Sequence, residues 1–150
     1  MILYATYSSP FGQIRIGYEN EDVVSIGRGK HEEKAHMPSA LTDRVNEQLQ
    51  EYFAGNRKDF DFPVRLSGTN FQMKVWRVLS EIPYGQTRTY GEIAAAIGNK
   101  NASRAVGMAC SKNPLWIIVP CHRVVGCGKK LTGYAGGIAM KQALLELEQE

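Results

Sequence analysis

A cysteine and a histidine stand side by side at Cys121 and His122, after an apolar, strand-like run at 116–119 and a proline. A free thiol has a pKa near 8.5, so a nucleophilic cysteine needs a group that takes its proton or stabilises the thiolate. His122 and the neighbouring Arg123 offer both. Pro120 restricts the backbone on either side of it, which predicts that Cys121 lies at an abrupt turn. The pattern is typical of a rigidly held nucleophile, and an inert buried cysteine beside a core histidine is the alternative.

The cysteines and histidines do not form a pattern that binds metal. Cys110, Cys121 and Cys127 all lie in the last third of the 150-residue chain, and no CxxC pair occurs. Three cysteines are an odd number, so we expect no disulfide framework and at least one free thiol. His31 and His36 lie in a charged segment with no third ligand nearby, and we expect them to be solvated. The sequence therefore predicts neither a metal nor a cofactor.

Charge and composition restrict the classes of protein to which this chain can belong. Hydrophobic residues make up 43% and charged residues 22% of the chain, as in ordinary globular proteins. Apolar runs are far shorter than the roughly 20 residues that span a bilayer, and the N-terminus lacks the pattern of a signal peptide. We therefore expect an intracellular protein without a membrane partner, either cytoplasmic or, in a eukaryote, nuclear. The segment 67–141 carries ten basic side chains against Glu81 and Glu92. This asymmetry favours a polyanion partner, although basic faces without a partner are common.

The elements before residue 60 predict a small antiparallel sheet and one helix. The segments 2–6 and 14–18 have the alternation of strands, with turn residues between them. After a polar turn at 19–22, the segment 23–26 is predicted to close a three-stranded antiparallel meander. From Leu41 the apolar spacing becomes helical, and Gly55 stands where such a helix ends.

The second half predicts short helices joined by tight turns. Apolar residues recur at helical spacing over 71–82, with Thr69 or Asn70 as the N-cap. A capping-box pattern at 89–92 begins the next helix, and a third is predicted over 101–110. Two short helices joined by a glycine-containing turn in a basic segment suggest a helix-turn-helix, although helical hairpins also occur in bundles that bind nothing.

The third predicted helix has few side chains that could read bases. Arg104 is the only long polar residue in its first turns, whereas a helix in the major groove needs several side chains that reach base edges. Small residues let a helix approach a narrow minor groove closely. They also pack well against another helix, and the residues alone leave both possibilities open.

Taken together, these motifs resemble the O6-alkylguanine-DNA alkyltransferases, also called methylated-DNA–protein-cysteine methyltransferases. The first 60 residues match that family more loosely than the second half does. The matching segments are the Pro-Cys-His-Arg-Val block at 120–124, Asn113 before it, 71–84, Thr89-Tyr90, 103–107, Gly-Tyr-Ala-Gly-Gly at 133–137, and 144–148.

The resemblance implies a two-domain fold. Residues 1–64 are expected to form an α/β domain that is ribonuclease H-like, with a small antiparallel sheet plus a helix. Residues 65–150 are expected to form a mainly α domain with a winged-helix-like helix-turn-helix that binds DNA and transfers the alkyl group.

The resemblance also implies DNA repair by direct alkyl transfer. An O6-alkylguanine is flipped out of the duplex, and Cys121 takes its alkyl group as a thioether, so each molecule acts once. In this scheme His122 deprotonates Cys121 through a water, and Glu148 orients the imidazole. Asn113 holds the turn that carries the cysteine, and Tyr90 donates to the guanine ring as charge leaves the oxygen.

Further residues follow from the same resemblance. Arg104 takes the place of the extruded base in the stack, and the backbone carbonyl of Val124 reads the guanine amine. Tyr134 walls the pocket, and Ala135 stands where some members carry a serine. The residues expected to face the minor groove are Ala102, Ser103, Ala105 and Gly107. The implied partner is double-stranded DNA containing O6-alkylguanine, bound by a monomer without a cofactor, and Cys110 is either a second alkylation site or part of the core.

Three other functions fit parts of the sequence. A Cys-His hydrolase or acyltransferase shares the nucleophile and base but leaves the helix-turn-helix and the basic half unexplained. A non-catalytic sensor of alkylated guanine fits the DNA-binding features, but such relatives replace the cysteine that is present here as Cys121. A transcriptional regulator needs base-reading side chains that the third helix lacks. Direct alkyl transfer accounts for all of these features.

Overall fold

The computed structural model describes residues 1–29, 35–134 and 136–149, without the side chain of Lys129. The chain divides into two compact units, Met1–Leu66 and Ser67–Glu150. His31 and Ala135, which the sequence analysis singled out, lie outside the described residues. In the part of the chain that is described, no helix combines the length and the apolar character needed to cross a membrane.

The first unit is a three-stranded antiparallel meander with one helix. Its elements are β1 (Leu3–Ser9), β2 (Gly12–Glu19), β3 (Asp22–Arg28) and α1 (Ala40–Phe53), and the strand order is β1-β2-β3. In β2 the alternate residues Ile14, Ile16 and Tyr18 are buried, and Val23 and Ile26 of β3 are buried as well. Ser39 and Thr42 form the capping box that starts α1. The predicted sheet and helix are confirmed.

The second unit is mainly helical. Its elements are α2 (Asn70–Ser80), β4 (Arg88–Thr89), α3 (Tyr90–Ala96), α4 (Ser103–Ser111), a first 3₁₀ turn (Cys121–Arg123), β5 (Val124–Val125), a second 3₁₀ turn (Cys127–Lys129) and α5 (Ile138–Leu147). The short strands β4 and β5 pair in parallel. The buried Trp76 donates from Nε1 to the Ala109 carbonyl at 2.9 Å and so ties α2 to α4. The predicted class, an α/β unit followed by a mainly helical one, is confirmed.

Local capping signals locate two of the helix starts. Thr69 caps α2 and Thr89 caps α3, each in a capping box with the residue three positions later. The third predicted helix begins at Ser103, two residues later than expected. Ala102 occupies its N-cap position and has no side-chain acceptor, but it is buried. Packing rather than capping therefore determines where α4 begins.

The run at 116–119 is a buried turn and not the strand that its apolar residues predict. Ile117 has a φ of 73°, a left-handed conformation that no strand contains. The Ile118 N–H donates to the Trp116 carbonyl and the Val119 N–H to the Leu115 carbonyl, at 2.8 and 3.0 Å. The backbone groups therefore pair with near neighbours in the chain, and the expectation of a strand is wrong.

The capping box of α3 can be tested by removing its hydroxyl. In Thr89→Ala the Glu92 N–H loses the side-chain acceptor that it has at 3.1 Å. We expect the free energy of unfolding, measured by urea denaturation, to fall by about 1 kcal/mol. Thr89→Ser keeps the acceptor and should match the wild type. Equal stability of all three proteins would show that the cap does not stabilise the helix.

Candidate active site

Cys121 is held by an asparagine at the start of the first 3₁₀ turn. Its Sγ accepts a hydrogen bond from Asn113 Nδ2 at 3.1 Å, and its side chain is only 3% exposed. The same Nδ2 donates to the Val119 carbonyl at 2.8 Å, while Asn113 Oδ1 accepts from the Leu115 N–H at 2.9 Å. One buried amide therefore holds both the turn and the thiol that follows it.

Burial keeps the Cys121 thiol protonated at rest. Desolvation raises its pKa, and the hydrogen bond from Asn113 and the positive charge of Lys141 only partly offset this effect. A protonated thiol is a weak nucleophile. Attack on a substrate therefore requires a base that accepts the proton as the new bond forms.

His122 is a neutral base with one nitrogen available. Its Nε2 lies 2.7 Å from Glu148 Oε2, and both side chains are buried. Because a carboxylate only accepts, Nε2 carries the proton in the neutral ring and Nδ1 is the basic nitrogen. Burial lowers the pKa of His122 and outweighs the opposing effect of Glu148. Nδ1 is buried and has no hydrogen-bond partner within the described residues, so it is free to take a proton.

Glu148 pairs with more than the histidine. Arg123 forms a two-pronged ion pair with it, from Nε to Oε1 at 2.8 Å and from Nη2 to Oε2 at 3.0 Å. The Gly85 N–H donates to Oε1 at 3.2 Å, and Arg123 Nη1 donates to the Ile82 carbonyl at 2.7 Å. This network neutralises the buried carboxylate, which is why His122 can stay uncharged beside it.

A pocket of about 590 Å³ opens beside these groups. Its lining residues are Tyr90, Ser103, Arg104, Gly107, Ser111, Thr132, Gly133 and Tyr134. Tyr90 and Tyr134 lie close enough to Cys121 that a thiolate there would raise the pKa of each phenol. Burial raises both pKa values as well, so both phenols are protonated near neutral pH. The pocket therefore presents two neutral phenols to whatever approaches the thiol.

Family models match nearly the whole chain. The 6-O-methylguanine DNA methyltransferase ribonuclease-like domain matches residues 2–66, and the DNA binding domain of the same protein matches residues 70–150. The chain belongs to this family.

Individual relatives agree with the methyltransferase assignment. The methylated-DNA–protein-cysteine methyltransferase of Methanosarcina acetivorans is 48% identical over 97% of both chains. The constitutive enzyme of that name from Bacillus subtilis is 41% identical over 99% of this chain and 96% of its own. The crystal structure of Mycobacterium tuberculosis OGT in complex with DNA matches with a TM-score of 0.90 at 46% identity, over 97% of this chain and 92% of that one.

Helix α4 of this methyltransferase presents most of its predicted DNA-facing residues to solvent. Arg104 and Ala105 are exposed, and Ser103 and Gly107 are half-buried. Ala102 is 7% exposed and packs into the core, and its contact with the groove stays a prediction. Met108, which no sequence motif marked, is 64% exposed and adds an apolar side chain to the surface of this helix.

Three further residues lie near the site. Val124 is fully buried in β5 and its N–H donates to the Cys121 carbonyl, so its predicted contact with guanine can involve only its backbone. Lys141 and Thr132 were not predicted. Lys141 is fully buried and donates from Nζ to the Thr132 carbonyl at 2.9 Å. No local signal reveals this, because a lysine within a helical segment is normally solvated.

Metal ligands are not grouped in the described ranges. Within residues 1–29, 35–134 and 136–149, no three His, Cys, Asp or Glu side chains are placed to hold an ion together. Cys110 is buried, and burial raises its pKa to about 12. Its thiol is therefore protonated near neutral pH, and a protonated thiol is a weak nucleophile.

The lowered pKa of His122 makes stability depend on pH. Unfolded, the imidazole binds a proton near pH 6.5; in the native protein it does so only at lower pH. The unfolded state therefore holds more protons in this interval, and the free energy of unfolding should fall as pH drops below about 6.5, by up to about 1.4 kcal/mol per pH unit. Urea denaturation at a series of pH values measures this slope.

Two variants identify the group responsible for the slope. His122→Asn should flatten it, whereas His36→Gln, at an exposed histidine of the first unit, should leave it in place. An unchanged slope in His122→Asn would show that another group titrates.

Proposed function

We propose that this protein repairs DNA by moving the alkyl group of an O6-alkylguanine onto Cys121 in a single irreversible step. The observation that carries the proposal is the pairing of a buried thiol, held by Asn113, with a neutral histidine whose Nδ1 is free. Family membership supports it, since relatives that align over almost the whole chain carry the name methylated-DNA–protein-cysteine methyltransferase. The complex of the Mycobacterium tuberculosis relative with DNA supports DNA as the partner, and we propose that the DNA is double-stranded and contains O6-alkylguanine.

The chemistry balances without a cofactor. A bond forms between Cys121 Sγ and the alkyl carbon as the bond between that carbon and guanine O6 breaks. The electron pair of the broken bond stays on the guanine, and the thiol proton passes through a bridging water to His122 Nδ1. Tyr90, which is a neutral phenol, donates to the guanine ring as negative charge develops on the base. The immediate products are a thioether on Cys121, a protonated His122 and a guanine anion. Return of that proton to the guanine through water leaves an unmodified guanine and a neutral histidine.

Glu148 and Arg123 support the proton transfer. The hydrogen bond between His122 Nε2 and Glu148 fixes the tautomer in which Nδ1 is basic. When His122 becomes charged, the carboxylate lies 2.7 Å away and stabilises the imidazolium. Arg123 and the Gly85 N–H hold that carboxylate in place, so the pair does not need to reorganise during the reaction.

The thioether makes the protein a single-use reagent. A thioester releases its acyl group to water, but the C–S bond of a thioether is not hydrolysed under cellular conditions. We therefore propose one transfer per molecule. A Cys-His hydrolase built on the same pair would instead turn over repeatedly.

Helix α4 is the proposed DNA-contacting element, inserted into the minor groove. Its exposed face combines Arg104 with the small residues Ala105 and Gly107, which allow close approach of the backbone. Arg104 lies at the pocket and is proposed to fill the gap in the stack when the guanine is flipped out. Because few side chains can reach base edges, we propose binding by a monomer that depends on salt and hardly at all on sequence.

The direct test is mass spectrometry after incubation with a duplex that contains one O6-methylguanine. We expect the intact protein to gain the mass of one methyl group, on the peptide that carries Cys121. Cys121→Ala should gain none and still bind the duplex, whereas the matched variant Cys110→Ala should be methylated like the wild type. Binding without any mass gain would favour the sensor function, and repeated turnover would favour a hydrolase.

Arg104 can be tested by comparing two substrates. Arg104→Ala should slow transfer from the duplex by at least about tenfold, because flipping then leaves an unfilled gap in the stack. Transfer from free O6-benzylguanine, which needs no flipping, should change little. Arg77→Ala removes the same charge from an exposed site on α2 and serves as the control. Equal slowing on both substrates would rule out a role for Arg104 in flipping.

A further inference from the structure

The pocket contains a hydrogen bond that the mechanism above does not use. The Thr132 hydroxyl donates to the Tyr90 hydroxyl oxygen at 3.1 Å, across 42 positions of the chain. Both residues line the pocket. Within the described residues the Tyr90 hydroxyl has no other hydrogen-bond partner, so its own proton is not committed to another protein group.

A buried lysine holds the backbone of Thr132 in place. Lys141 Nζ donates to its backbone carbonyl at 2.9 Å, and Lys141 is fully buried. The same ammonium group lies 5.7 Å from the centre of the Tyr90 ring. A buried ammonium group holds its hydrogen-bond acceptors firmly because it has little access to water. The contact fixes the backbone from which the Thr132 hydroxyl projects.

We propose that Thr132 is a positioning residue for Tyr90, whose hydroxyl it turns into a directed hydrogen-bond donor for the substrate base. A phenol that accepts a hydrogen bond on its oxygen is polarised and becomes a stronger donor through its own proton. The accepted bond also fixes the rotation of the phenol O–H, so that its proton is available to the pocket and not to Thr132. This inference rests on the proposed function, because it assigns a purpose to the donor role of Tyr90.

The first arm of the test measures the single-turnover rate of methyl transfer from duplex DNA. Thr132→Val keeps the size of the side chain but removes the donor, and we expect it to slow transfer by about 3- to 10-fold, the range expected for one hydrogen bond. Thr132→Ser keeps the hydroxyl and should restore most of the rate. Thr87→Val makes the same change at a half-buried threonine outside this pocket and should be neutral.

A double-mutant cycle tests whether Thr132 acts through Tyr90. In a Tyr90→Phe background there is no phenol to polarise, so adding Thr132→Val should have no further effect on the rate. If Thr132→Val slows the Tyr90→Phe protein as much as it slows the wild type, the effect is steric and the proposal is wrong. Wild-type or faster transfer by Thr132→Val would also overturn it, since the Thr132 hydroxyl would then not assist the donor role of Tyr90.

A spectroscopic arm does not depend on activity. With tyrosine labelled at ¹³Cζ, the Tyr90 resonance is assigned by its loss in Tyr90→Phe. We expect its chemical shift at neutral pH to move in Thr132→Val and to return in Thr132→Ser, and an unchanged shift would overturn the contact. If the wild type failed to transfer methyl groups, the proposed function would be wrong while this arm could still report the contact. If transfer occurred and neither rate nor shift responded, only the present inference would be wrong.

Discussion

The buried carboxylate of Glu148 is the constraint on which the site depends. It stands at the C-cap of α5 and binds a histidine and an arginine of the first 3₁₀ turn together with the Gly85 N–H. Removing one partner of such a buried pair leaves an uncompensated charge, which typically costs about 3–5 kcal/mol. The last helix must therefore dock correctly for the turn that carries Cys121 to be stable, so folding of the second unit and assembly of the site are coupled.

The same burial governs reactivity. It raises the pKa of Cys121 and lowers that of His122, so the resting pair is a neutral thiol beside a neutral base. Such a pair reacts slowly with electrophiles in solution, because little thiolate is present. For a protein proposed to act only once, the low reactivity of the neutral thiol preserves Cys121 until a substrate enters the pocket. Proton transfer to His122 and alkyl transfer to Cys121 then occur together. Preorganised groups, not a permanently charged nucleophile, then lower the barrier.

Much of the fold could be predicted because its signals are local. The alternation in β2 and the capping boxes of α2 and α3 each involve residues within a few positions of one another. The start of α4 and the turn at 116–119 could not be predicted in this way. Burial determines the first, and the second depends on the side chain of Asn113, which accepts from the Leu115 N–H just before the turn and donates to the Val119 carbonyl at its end.

The sequence by itself determined the nucleophile and its neighbour, since Cys121 and His122 are adjacent and follow a proline, and it determined the family through the motifs around them. The tertiary structure decided what those residues can do. Arg123 and Gly85 hydrogen-bond to Glu148, which lies 25 and 63 positions later in the chain. Thr132 hydrogen-bonds to Tyr90, which lies 42 positions earlier. The physical reason is that pKa values and hydrogen-bond directions depend on burial and on partners far away in the chain. Local sequence patterns determine backbone conformation. Only tertiary packing determines which charged groups are desolvated and which side chains they contact.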